Sequence, residues 1–268
     1  MASQVNSTTL EVIGLVPAGG LATRISPLPC SKELYPIGFR PVENGEGSRP
    51  KVVSQFLLEK MKFAGISKVY IVLRPGKWDI PAYFGDGSIL NMHLAYLILG
   101  VPFGVPYTLD QAYPFVRHAM VAFGFPDILF ESDDGFAKLI EYQSKNDADI
   151  TLGLFRASHP FSKEDRVDFS DDGKIQEIIL RPSESPLRYS WAIALWNPNF
   201  TQFLHEYVKV AQLTPERNSE LSAGHAIQAA IRNGLRVAGL ILNGEKPYLD
   251  IGTPEGLREA INRGLNAD

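Results

Sequence analysis

The sequence predicts an α/β fold: a mixed, mostly parallel central sheet covered by helices on both faces in three layers, α/β/α, with a small antiparallel flap. Three observations predict it. Short β-branched apolar runs alternate with segments of helical period along most of the chain. The first apolar run ends in Pro17-Ala18-Gly19-Gly20, a small-residue turn after a buried strand. By residue 73 the chain has completed a strand–helix–strand unit, and such a crossover makes its two strands parallel.

Each element follows in order. Residues 11–16 (EVIGLV) form the first strand, and residues 52–63 carry apolar positions at helical spacing, closed by Ala64-Gly65 as a C-terminal cap. Residues 68–73 and 93–99 are the next strands, and the glycines and prolines of residues 100–106 read as a loop. A helix is expected over residues 111–123, passing into a loose strand over residues 121–125 that leads to Asp127. An amphipathic helix (residues 135–146) and a strand (residues 150–155) come next. Residues 166–169 and 174–180 then form a hairpin turning at Asp171-Asp172-Gly173. A strand (residues 190–196), two helices (residues 200–210 and 221–233) and a strand (residues 236–242) complete the pattern. Thr253 opens the last helix, with Pro254 at its first position and Glu255 in its first turn. Without a convincing linker, residues 11–268 read as one domain after a disordered arm over residues 1–10. The antiparallel flap is expected over residues 158–198.

A net charge of −4 gives no electrostatic case for nucleic acid or an anionic membrane as the main partner. No apolar run approaches the ~20 residues of a membrane helix. The single cysteine, Cys30, excludes an intrachain disulfide framework and a thiolate zinc cluster, so a reducing cytoplasm is the simplest compartment. Cys30 reads as a packing residue. The five histidines have no metal-ligand spacing, and His225, on an expected helix, reads as structural.

The chemistry concentrates after the first strand. The string Val16-Pro-Ala-Gly-Gly-Leu-Ala-Thr-Arg24 is followed by Ser31-Lys32-Glu33-Leu34-Tyr35-Pro36. Small residues there let backbone N–H groups approach an anion, and Arg24 and Lys32 add full positive charges. The glycines alone also fit an ordinary tight turn beside two solvated cations. The spacing is neither the dinucleotide pattern G-x-G-x-x-G nor a P-loop.

The whole string resembles the signature of the sugar-1-phosphate nucleotidyltransferases: Ala18-Gly19-Gly20, Thr23-Arg24, Pro27-Leu28, Lys32 and Leu34-x-Pro36 stand in matching order. Arg49-Pro50 and Ala64-Gly65-Ile66 continue the match after an extra loop over residues 37–48. Tyr83-Phe84-Gly85-Asp86-Gly87, Arg181-Pro182, Trp191-Ala192 and Asp250-x-Gly252-Thr253-Pro254 extend it along nearly the whole chain. The resemblance implies a Rossmann-like fold and transfer of a nucleoside monophosphate from a nucleoside triphosphate to a sugar 1-phosphate or related acceptor, with release of pyrophosphate. It implies Arg24 and Lys32 as catalytic residues and Ala18, Gly19, Gly20 and Thr23 as nucleotide-binding residues. Asp127 and Asp250 become ligands of Mg2+, and Arg181 and Glu220 contact the acceptor. Arg181 stands where most of the family has lysine, and Glu220 also fits a helix cap.

The departures cluster in base and acceptor recognition. Ala22 replaces a loop glycine, where a positive φ would strain its methyl. Leu97, Ile98 and Leu99 stand where a base-reading glutamine is common, and Tyr107-Thr108-Leu109-Asp110 replaces a Gly-Thr-Ala turn. Leu180 replaces a glutamate, and the glycine of the preceding hairpin is replaced near Asp165-Arg166. A space lined by Leu99, Tyr107 and Leu180 is expected to decide the substrate. Two other readings stay open: a non-catalytic nucleotide or sugar-nucleotide binding module on the same fold, and a Rossmann oxidoreductase. The missing third glycine and the lack of an acidic residue after the second strand count against the latter. A homo-oligomer is compatible with the sequence.

Overall fold

The computed structural model describes residues 10–41, 47–100, 103–159, 161, 163–212, 220–242 and 246–265. The expected N-terminal arm, apart from Leu10, lies outside the described residues. The chain opens with β1 (Val12–Ala18), a hairpin of β2 (Pro36–Pro41) and β3 (Ser48–Val52), and α1 (Val53–Phe63). Then come β4 (Lys68–Leu73), α2 (Asp79–Phe84), β5 (His93–Ile98), α3 (Val105–Asp110), α4 (Tyr113–Val116) and β6 (Met120–Gly124). The two-residue β7 (Ile128–Leu129), α5 (Gly135–Asn146) and β8 (Ile150–Arg156) follow. The remainder runs β9 (Arg166–Phe169), β10 (Ile175–Ile179), β11 (Tyr189–Trp196), α6 (Pro198–Gln212), α7 (Ala223–Arg232), β12 (Val237–Ile241), β13 (Leu249–Asp250) and α8 (Pro254–Leu265).

Seven strands form the middle layer in the order β12-β8-β11-β6-β1-β4-β5. Every neighbouring pair is parallel except at β11, which runs antiparallel to both β6 and β8. The expected three-layer, mixed and mostly parallel fold is the observed one. Side-chain alternation builds its two cores. Ile13, Leu15, Val121 and Phe123 point to the face that packs Leu109, Val116, Leu204 and Ile227 of α3, α4, α6 and α7. Val16, Ala18 and Ala122 point to the opposite face, with Leu57, Leu58 and Met61 of α1 and Leu139 of α5.

From β1 the chain proceeds to β4 and β5 on one side, then returns to lay β6 on the other. The crevice beyond the carboxyl ends of β1 and β6 is therefore a topological switch point, where open α/β sheets bind ligands. Helix α8 closes a third, small core with Ile37, Val53, Ile251 and Ala260.

Four expectations need correction. Residues 37–48, expected as an inserted loop, contribute to the antiparallel hairpin β2–β3, of which residues 42–46 lie outside the description. Its prolines, Pro36, Pro41 and Pro50, hid it; a two-stranded ribbon has a free edge on each strand where a missing N–H costs little. The loop expected through residue 106 ends early, because α3 begins at Val105. The helix expected over residues 111–123 stops at Val116, while the strand expected over residues 121–125 is present as Met120–Gly124, buried in mid-sheet. Its run of apolar residues fits a strand covered on both faces better than a one-sided helix. The flap reduces to β9 and β10, since β11 belongs to the central sheet.

Candidate active site

A cleft of about 300 Å³ lies at the switch point and brings together Gly19, Gly20, Arg24, Lys32, Asp127, Asp250, Arg181 and Glu220. Two of the expected nucleotide-binding side chains stand outside it: Ala18 is a buried strand residue and Thr23 is exposed on the turn. Of the trio expected to line the substrate space, Leu99 does so, whereas Tyr107 and Leu180 pack against the core.

The centre is a pair of aspartates from distant parts of the chain. Asp127 follows β6 and Phe125-Pro126, and Asp250 ends β13, which pairs with β7 through Leu249 opposite Leu129 and Asp250 opposite Ile128. This short ladder brings the two carboxylates together. Lys32 Nζ donates to Asp127 Oδ2 at 2.5 Å, and Arg24 Nη2 donates to Asp250 Oδ2 at 3.1 Å. Gly252 keeps the space between them open: a Cβ there would lie 2.9 Å from Asp250 Oδ1, 3.1 Å from Arg24 Nη2 and 3.2 Å from Asp127 Oδ2.

Burial, and then the negative charge of Asp127, raise the Asp250 carboxyl, while Arg24 opposes them. Burial works against a charged Lys32, yet Asp127 prevails and the ammonium is held above its usual range. Two carboxylates sharing one space, Asp127 buried and Asp250 half-buried, suit a divalent cation, which relieves their repulsion. Among the described residues no group of three His, Cys, Asp or Glu side chains forms an all-protein metal site. Mg2+ requires none, because it takes one or two carboxylates and fills its remaining positions with water and phosphate. The donor set therefore fits that ion.

Lys32 is fixed from beneath. The Ser31 N–H and hydroxyl both donate to Asp79 at 2.7 Å, and the buried Ser54 hydroxyl donates to the Glu33 carbonyl. Glu33, 1 % exposed, accepts from Lys77 Nζ at 2.7 and 2.8 Å. Burial outweighs this attraction on both sides, pushing the Glu33 carboxyl up and the Lys77 ammonium down. Sequence reading missed this pair, since 44 positions separate the partners. Cys30, half-buried nearby, has its thiol raised by burial and by Asp79 and Glu33, which suits packing rather than nucleophilic attack.

The loop anticipated as strained is strained. Ala22 has φ 56°, and its carbonyl accepts from the Ile25 N–H and the Ser26 hydroxyl, making the turn that carries Arg24. A left-handed alanine costs roughly 1–2 kcal/mol, partly offset by glycine's greater unfolded-state entropy. Ala22→Gly is therefore expected to raise the thermal midpoint modestly, by about 1 kcal/mol in stability. A lower midpoint in a calorimetric melt would contradict the strain argument.

At the far end of the cleft stand Asp165, Arg181 and Trp191. Arg181 also holds a positive φ of 40°, and its N–H donates to Asp165 Oδ1 at 3.3 Å. Burial pushes the Asp165 carboxyl up, against Arg181. Glu220 lines the rim without capping α7; that helix is capped by Ser222, with His225 Nδ1 accepting from the Ser222 N–H at 3.1 Å. Tyr248 is half-buried at the wall, its hydroxyl 3.1 Å from Ser190 Oγ. Thr253 caps α8 as expected, accepting from the Gly256 N–H.

No family model matches the chain. Curated relatives do. The low-salt glycan biosynthesis nucleotidyltransferase Agl11 of Haloferax volcanii is 24% identical over 251 residues, covering 92% of this chain and 64% of that protein. Glucose-1-phosphate thymidylyltransferase of Streptomyces griseus is 27% identical over 238 residues, covering 86% and 60%. Mannose-1-phosphate guanylyltransferase of Mycobacterium tuberculosis is 30% identical over 170 residues, covering 59% and 43%. The chain thus spans under two thirds of the length of these relatives. Among solved structures, a UDP-glucose pyrophosphorylase complexed with UDP-glucose superposes with a TM-score of 0.76 at 17% identity, covering 97% of this chain and all of that one. A Bacillus anthracis protein assigned as a glucose-1-phosphate thymidylyltransferase, in complex with sucrose, gives 0.78 at 19% identity, covering 96% of each. At such identities these two share the fold.

Proposed function

We propose that this chain, a homologue of sugar-1-phosphate nucleotidyltransferases, transfers a nucleoside monophosphate from a nucleoside triphosphate to a sugar 1-phosphate or related phosphorylated acceptor. Residues 11–268 form the transferase domain in this reading. The observation that carries it is the meeting of Asp127, Asp250, Lys32 and Arg24 around the space kept by Gly252.

An oxygen of the acceptor phosphate attacks the α-phosphorus. A new phosphorus–oxygen bond forms there, and the bond to the bridging oxygen of the β-phosphate breaks in line, with the electron pair leaving on pyrophosphate. Lys32 leans over the α-phosphate and Arg24 over the departing pyrophosphate, while backbone N–H groups of Gly19 and Gly20 approach the phosphates. Arg181 holds the acceptor phosphate, replacing a point charge by a planar fork, and Glu220 faces the acceptor from the rim. Asp127 and Asp250 are the carboxylates that would hold Mg2+. When bound, it neutralises charge accumulating on the phosphates.

Among the described residues no helix is long and apolar enough to cross a membrane. With one cysteine in the chain, we place the reaction in the cytoplasm.

The test incubates the protein with each common NTP, Mg2+ and a panel of sugar phosphates, and reads pyrophosphate release. Turnover with at least one pair is the expected result. Absence of both turnover and NTP binding overturns the reading; binding without turnover favours the non-catalytic module.

A further inference from the structure

Among the side chains of the cleft not assigned to phosphate or metal are Asp165, at the start of the flap, and Trp191, on β11. Trp191 is 5% exposed, and its buried indole Nε1 makes no close hydrogen bond, with the Asp165 carboxylate as the acceptor beside it. A buried donor left in this state costs free energy unless something in the site accepts from it. Trp191 also sits at a register shift: it pairs with Leu154, yet Ile193 pairs with Gly153, so one residue of β11 is extra. Such bulges re-aim side chains, and here both Trp191 and Ala192 face the cleft.

Asp165 lies beside this indole. Its Oδ1 accepts from the Arg181 N–H, while Oδ2 lies over Gly224 in the first turn of α7, where a Cβ would collide with it. The same Cβ would meet Leu180 Cδ2 at 2.7 Å, so Asp165 and Leu180 converge on Gly224 from one side. A glycine is thus what lets the carboxylate occupy this wall. An aspartate only accepts and an indole only donates, whereas a hydroxyl does both.

We propose that Asp165 and the Trp191 indole N–H together recognise a ring hydroxyl of the acceptor, making them specificity-determining residues. This rests on the nucleotidyltransferase reading above.

The test compares wild type with Asp165→Ala, Asp165→Asn and Trp191→Phe on a panel of hexose 1-phosphates and the monodeoxy analogues of the one turned over. Asp165→Ala and Trp191→Phe are expected to lower kcat/KM for the acceptor by about 10- to 100-fold, with the KM for the NTP unchanged. Asp165→Asn should fall between wild type and Asp165→Ala. One monodeoxy analogue should be penalised by wild type and carry no further penalty in Asp165→Ala. If Trp191→Phe fails to fold, the Asp165 variants and the deoxy series decide alone. Variants that match wild type on the acceptor, or that shift the NTP and acceptor constants equally, overturn the inference. A wild type inactive with every pair overturns instead the transferase reading on which it rests.

Discussion

Asp127→Asn is expected to lower pyrophosphate release by about three orders of magnitude, roughly 4 kcal/mol of barrier, and to abolish the rise in melting temperature expected of wild type with Mg2+ and an NTP. The substitution keeps the shape and removes the charge. It takes away the anionic partner of Lys32 and one of two carboxylates facing the space at Gly252. It also removes the negative neighbour that raises Asp250, so the remaining carboxyl ionises more easily. Melting temperature without ligand should change little, because a like-charge repulsion and an ion pair vanish together. Turnover within tenfold of wild type would refute the metal role, on the scale of about 1.4 kcal/mol per tenfold.

Lys77→Met should have the largest effect on stability, about 3–5 kcal/mol, because it leaves the Glu33 carboxylate buried without its counter-ion. The pH dependence has a definite sign. Burial already raises Glu33 above the usual glutamate range, and removing Lys77 raises it further. A carboxyl with a raised folded pKa favours folding below the unfolded value, near 4.3, and that contribution is lost as pH rises through the folded value. The deficit of Lys77→Met against wild type should therefore be widest at neutral and alkaline pH and narrow as pH falls towards 5. Denaturant melts of both proteins across that range would check it, and a deficit that widens on acidification would exclude this origin. Adding Glu33→Gln to Lys77→Met should recover part of the loss, since a neutral amide costs less to bury than a lone charge.

Local chemistry was legible in the sequence where one segment carried its own signal. The first strand, the helix after it and the amphipathic helix over residues 135–146 each announced themselves by period and by end signals. Elements were misread where context overrode period. The strand over residues 120–124 was expected, but the helix before it was carried too far, because its apolar run looks as helical as it looks extended until sheet neighbours cover both faces. The prolines of β2 and β3 disguised a ribbon as a loop.

The site divides in the same way. Arg24, Lys32, Asp127, Asp250, Arg181 and Glu220 were nominated through linear motifs, and the fold gathers all six around one cleft. Ala18 and Thr23 belong to the same motif but stand outside the cleft: the strand turns Ala18 into the core, and Thr23 is exposed on the turn. Trp191 and Asp165 were each met in linear motifs, but neither their pairing nor that of Glu33 with Lys77 left a linear trace. Their significance lies in burial and in what faces them across the fold.

The ladder between β7 and β13 has a consequence for when the protein becomes competent. All seven strands of the main sheet are in place once the chain reaches Ile241, yet Asp250 meets Asp127 only when two residues of β13 dock on two residues of β7. Scaffold and active centre are thus separable steps. A clasp of two residue pairs opens at far smaller cost than the sheet, so the protein can be fully folded by most spectroscopic measures and still be catalytically silent. A ligand held by both carboxylates would act as the rivet, moving amide protection selectively into residues 246–252 while leaving the sheet unchanged.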